Sequence, residues 1–111
     1  NGGKEMSVEL EGFAVYPNKV VRTNAWMTFL RTHQREVDVT LRPEHILVER
    51  IFSSSVGGRF YLCWYPEQTA ASPDVTESLN PIDQAHVTFW RECVDEKVPR
   101  LRFRLENSFH A

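Results

Sequence analysis

The chain has 111 residues, 41% of them hydrophobic and 25% charged, with a formal charge of -2 at pH 7. That length fits one domain with a core of its own, since domains run to about 100–150 residues. The weak negative charge supplies no field for nucleic acid or an anionic membrane, and no apolar run approaches the roughly 20 residues of a membrane-spanning helix.

The first six residues, Asn1 to Met6, are polar and Gly-rich and are expected to form a flexible extension, with a single domain over 7–111. Ser7 to Tyr16 alternates as a first strand, with Glu9, Glu11 and Phe13 on one side. Pro17-Asn18 closes it. From Lys19 to Leu41, Trp26, Phe29, Leu30, His33, Val37 and Leu41 recur at three- and four-residue spacing, which predicts one long amphipathic helix. Pro43 stops it, because a residue preceding proline leaves the helical region.

Ile46 to Ser53 reads as a second strand, Ser54 to Gly58 as a hairpin loop, and Arg59 to Tyr65 as a third, strongly aromatic strand ended by Pro66. A connection of about 15 residues, Pro66 to Asn80, follows, long enough to be either a lid over a pocket between sheet and helices or plain surface linkage. Asn80, Pro81 and Asp83 then form a helix start, as N-cap, N1 and N3. Ile82, His86, Phe89, Trp90 and Cys93 continue one helical stripe to Val94. After Pro99, Leu101 to Phe109 alternates as a final strand.

The order βαββαβ predicts a ferredoxin-like α+β fold: a four-stranded antiparallel sheet, spatial order 4-1-3-2, with two helices on one face. Leu101, Phe103, Leu105, Phe60, Leu62 and Trp64 are expected on the helix side. Phe13, Tyr61, Cys63 and Tyr65 are expected on the open side. The second strand carries apolar residues on both faces; Val48 and Phe52 inward would place Leu47, Glu49 and Ile51 outward. A half-apolar open face predicts a homodimer.

Three ordered blocks form the first part of a family resemblance: Trp26-Met27-Thr28-Phe29-Leu30, Val48-Glu49-Arg50-Ile51-Phe52 and Tyr61-Leu62-Cys63-Trp64-Tyr65. Pro81-Ile82-Asp83 and the run from His86 to Asp95 complete it. The chain resembles a family of short bacterial proteins known only as a domain of unknown function. Its fold is similar to that of dimeric α+β barrel proteins, among them sugar mutarotases and cofactor-independent monooxygenases. The resemblance implies a dimeric barrel and carries no catalytic residues with it.

Glu49 and His86 are the candidate acid/base pair. A carboxylate among Leu47, Val48 and Ile51 is costly unless paired, and a histidine beside it could exchange protons with a substrate. Trp26, Tyr61, Trp64, Tyr65 and Trp90 are the candidate ligand-binding aromatics. The competing readings are a satisfied core histidine for His86 and an edge-protecting charge for Glu49. The four histidines are scattered without ligand spacing, so no metal or other cofactor is expected. Cys63 and Cys93 are expected as free thiols of a cytoplasmic protein.

The resulting expectation is a small-molecule-binding homodimer, with isomerase- or oxygenase-like chemistry open to it. A non-enzymatic dimerisation module is the alternative. An RNA-recognition-like domain is a weaker one: Arg59 to Tyr65 loosely matches the aromatic signature, but small residues are missing and the charge is negative.

Overall fold

The computed structural model describes residues 6–71 and 73–111, so the expected extension lies, apart from Met6, outside the described residues. The protein is an α+β structure. Its strands are β1 (Ser7–Val8), β2 (Glu11–Ala14), β3 (Ile46–Val56), β4 (Arg59–Gln68) and β5 (Leu101–Arg102). Its helices are α1 (Val20–Thr32), α2 (Gln34–Leu41) and α3 (Pro81–Cys93), with short 3-10 turns at Pro17–Lys19, Arg42–Glu44 and Val75–Glu77.

β4 is the organising strand. It pairs antiparallel with β3 on one edge and with β1 and β2 on the other, while β2 also pairs antiparallel with β5. The order across the sheet is therefore β3, β4, β2, β5.

Several boundaries differ from the sequence expectation, each for a local reason. The single helix expected over Lys19–Leu41 breaks at His33, whose backbone turns to φ −116°, ψ 33°. Thr32 Oγ1 donates to the Phe29 carbonyl at 3.1 Å. The His33 ring nitrogen Nδ1 donates to the same oxygen at 2.8 Å. Side chains that capture a helix carbonyl compete with the regular ladder.

The expected hairpin loop shrinks to Gly57-Gly58, both at positive φ (57° and 77°), so β3 runs on to Val56. Two consecutive left-handed residues suit the twist of a tight hairpin. Pro66 does not end β4, which continues to Gln68. Its missing N–H coincides with the gap between β1 and β2, where only Glu9 N–H donates to the Pro66 carbonyl at 3.3 Å. The register of β3 also shifts nearby, between Ile46 and Val48.

Cross-strand partners share a face, and the register assigns the faces. Phe13 lies opposite Leu62 and Ile51 opposite Trp64, so Phe13, Ile51, Leu62 and Trp64 all point to the helices. Both Phe13 and the Glu49–Ile51 pair thus fall on the side opposite to expectation. On the other face, Phe52, Cys63, Gly12 and Leu101 form one row straight across the sheet. Leu101 therefore packs away from the helices, against Ala14, Tyr61 and Cys63. A side chain on Gly12 would meet Leu101 at 3.1 Å and Cys63 at 3.2 Å, which explains the glycine.

The core is accordingly two separate clusters. Val15, Trp26, Leu62, Cys93 and Val94 fill the space under α1 and α3. Ala14, Tyr61 and Cys63 lie beneath Leu10, Val98 and Leu101. The final strand is the largest departure: it pairs over Leu101–Arg102 only, and residues 103–111 carry no regular structure. Part of its place along β2 is taken earlier, by Val94 bridging Val15.

Candidate functional site

α3 places two aromatic groups toward the sheet because His86 and Trp90 are four residues apart, one above the other on the same face. Asn80 caps the helix, its side chain accepting from Ile82 N–H at 2.8 Å, and Pro81 fills N1. Asp83 accepts from Ser78 Oγ at 2.6 Å, tying the preceding loop to the first turn.

Four of the candidate residues come together: Trp26 from α1, Trp64 from β4, and His86 and Trp90 from α3. Ring centroids are 5.3 Å apart for Trp26 and His86, 5.9 Å for Trp64 and His86, and 5.4 Å for Trp64 and Trp90. Phe13 closes one side, 4.7 Å from Trp90 edge-on, and Phe89 stacks parallel to Trp26 at 6.1 Å. Such geometries add stabilisation beyond buried area.

Trp26 Nε1 donates to His86 Nδ1 at 3.1 Å. An indole N–H can only donate, so Nδ1 must be the unprotonated nitrogen and the proton sits on Nε2. Burial then lowers the His86 pKa from its ordinary 6.5, outweighing the opposite pull of nearby Asp83. The imidazole is neutral at pH 7, with Nε2–H as its remaining donor.

His86 borders a partly open cavity of about 390 Å³, with Val87, Trp90 and Arg91 from α3, Val75 and Thr76 from the long loop, and Glu96 beyond the helix. Glu96 Oε1 accepts from Trp90 Nε1 at 3.5 Å. The walls are mainly apolar, with donors and one carboxylate at the edge, the usual makeup of a small-molecule cleft.

Glu49 lies elsewhere. It faces the helices from β3 and borders a different groove, with Met27, Leu30, Val37, Leu41 and Ile51. Burial and then Asp83 raise its pKa. Glu44 is its neighbour in charge: burial, then Asp83 and Glu49, push its carboxyl up to about 7. Tyr61 and Tyr65 sit on the far face of the sheet. Tyr61 is buried under Leu101 and Val98, and Tyr65 donates to Glu67 at 3.0 Å. A buried Tyr61 offers no stacking platform of the kind an RNA-recognition sheet needs.

Sequence reasoning missed Phe13, Phe89, Arg91, Glu96, Glu44 and the loop residues Val75 and Thr76. Arg91 and Val87 adjoin Trp90 and His86 in sequence, a signal that was present. Glu96 gave none, since only tertiary placement brings it to the cleft, whereas Val75 and Thr76 lie in the long connection whose length marks it as a candidate lid. Among the described residues no group of three or more His, Cys, Asp or Glu side chains is arranged to hold a metal. No described helix is long and apolar enough to cross a membrane.

The carboxylates predict a pH dependence. The folded-state pKa of Glu44 lies above its ordinary 4.5, so its share of stability is full below pH 4.5 and lost as pH rises through 7. His86 acts oppositely, its share being lost as pH falls below 6.5. Replacing Glu44 by Gln should leave stability near pH 4.5 little changed and raise it at pH 8 by about 1 kcal/mol, a value discounted for partial exposure. Urea unfolding at both pH values reads the gap; a gap of equal size at each would refute the assignment.

A family model described as a family of unknown function, DUF6176, matches residues 6–110. No curated protein and no solved structure matches the chain.

Proposed function

We propose that this chain, which belongs to the family of unknown function DUF6176, binds a small planar molecule in the cleft beside His86. The observation that carries the reading is the hydrogen bond from buried Trp26 to His86 Nδ1. It fixes the ring as a neutral donor, and the residue borders a cavity walled by Trp90 and valines. A planar apolar body suits the Trp90 face, and an acceptor oxygen suits Nε2–H.

The same bond narrows the chemistry. With Nδ1 engaged and Nε2 protonated, His86 polarises or holds a carbonyl or hydroxyl oxygen and does not start as a base. Acid/base exchange between His86 and Glu49 gains nothing from the geometry, because they border different grooves. Isomerase- or oxygenase-like turnover would need its proton acceptor among Glu96 and the bound molecule itself.

A panel of planar aromatics bearing a carbonyl, hydroxyl or carboxylate tests this by saturation-transfer NMR and tryptophan fluorescence. At least one should bind and lose about tenfold or more in affinity on His86→Phe. No binding across the panel, or binding indifferent to His86→Phe, would sink the proposal.

A second reading has its own support. Phe52 and Phe103 are half exposed on the helix-free side, next to the row of Cys63 and Leu101. We take this face as the seat of a homodimer, consistent with a ferredoxin-like sheet order that leaves one face uncovered by helices. Free Cys63 and Cys93 suit a cytoplasmic setting for either reading.

A further inference from the structure

We infer that the C-terminal segment from Phe103 to Phe109 docks on a second copy of this chain, each copy's tail covering the other. The inference rests on the open-face dimer reading and names the segment that closes it. The sequence of this segment is that of a strand, with Leu101, Phe103 and Leu105 alternating with Arg102, Arg104 and Glu106. Among the described residues no strand of its own chain pairs with it beyond Arg102, and its last backbone bond is Phe103 N–H to the Leu10 carbonyl at 3.3 Å. Beyond it Phe103 is 52%, Leu105 60% and Phe109 88% exposed. Alternation specifies one buried face, and here that face is covered at Leu101 but more than half exposed at Phe103 and Leu105.

The receiving surface is on the same molecule. The segment stands off from its sheet and leaves a groove of about 490 Å³, lined by Val8, Leu10, Tyr65, Phe103 and Leu105. Phe109, almost fully exposed, does not fill that groove in its own copy. A two-fold axis lets the ring of each copy enter the groove of the other, a self-complementary contact that closes at two. Three phenylalanines per copy (52, 103 and 109) are contributed twice. At roughly half of the ~150–250 Å² an aromatic buries, these six rings alone bring about 450–750 Å². That is a substantial share of the ~1,200 Å² at which stable interfaces begin.

The test is sedimentation of the full chain over a concentration series, with Phe109→Asp and, as control, Leu79→Asp. Leu79 is 87% exposed and lies before α3, away from the groove. Phe109 is too exposed for its replacement to disturb the fold, which circular dichroism checks. The expected result is a dimer for the wild type and Leu79→Asp, and a dimer dissociation constant raised by about tenfold or more for Phe109→Asp. A monomeric wild type would overturn both the dimer reading and this inference. A dimer untouched by Phe109→Asp would overturn the tail docking alone, and dissociation by Leu79→Asp would place the interface elsewhere and overturn it too.

Discussion

Replacing Trp26 by alanine is expected to cost about 3–5 kcal/mol, the range for deleting a large aromatic from a packed core. Trp26 is fully buried and touches Trp64, His86, Phe89 and Trp90 at ring-contact distances. Through these contacts it joins α1, β4 and α3. Native domains hold only about 5–15 kcal/mol in reserve, so the variant should unfold at a markedly lower urea midpoint. A loss below about 1.5 kcal/mol would mean that the cluster collapses onto the gap.

Trp26→Phe separates packing from polarity. It keeps most of the ring area but removes the N–H that fixes His86 Nδ1. The fold should survive, while the tautomer is no longer imposed and the imidazole pKa rises toward its ordinary value, since a bond to the neutral form has been lost. Nitrogen chemical shifts of the ring across a pH titration would report both changes. If wild type and Trp26→Phe titrate alike, the indole does not control the histidine, and the cleft loses its fixed donor.

Much of this site was visible in the sequence because helices announce their faces. His86, Phe89, Trp90 and Cys93 follow helical spacing after a strong start at Asn80-Pro81, and their convergence with Trp26 follows from two helices sharing one sheet face. Strand faces were harder. Both sides of Ile46–Ser53 and of Glu9–Val15 carry large apolar residues, because this sheet buries residues on both faces. Alternation then cannot say which side meets the helices. The pairing of Phe13 with Leu62 and Ile51 with Trp64 decides it, and that is long-range information. The break at His33 was hidden for a different reason: a ring bonding its own helix carbonyl leaves the three- and four-residue apolar spacing intact. The final strand was legible as a pattern, but a pattern does not disclose whether its partner belongs to the same chain.

Removing Asp95 is expected to be the other costly change. Asp95 is buried, and its carboxylate accepts from Arg59 Nη2 at 2.9 Å and from Lys97 N–H at 3.1 Å. Its own N–H donates to the Ala14 carbonyl at 2.9 Å, and Arg59 Nε reaches the Val15 carbonyl at 3.4 Å. The pair thus pins the chain leaving α3 along β2, one residue before Glu96 enters the cleft. Asp95→Ala strands a partly buried guanidinium and should cost about 2–4 kcal/mol, toward the range for breaking one side of a buried pair. Asp95→Asn keeps an acceptor for only one of the two donors, which bond to different carboxylate oxygens, and should cost less than Asp95→Ala but still about 1–2 kcal/mol. The exposed pair of Arg22 and Glu92 joins α1 to α3 with comparable distances but stays in water, so its loss should scarcely register. A double-mutant cycle of Asp95→Ala with Arg59→Met measures the coupling directly, and about 1–3 kcal/mol is expected. A coupling near zero would show that Asp95 works through its backbone bonds alone. The wall of the cleft formed by Glu96 would then owe its position to the Val15–Val94 bridge rather than to charge.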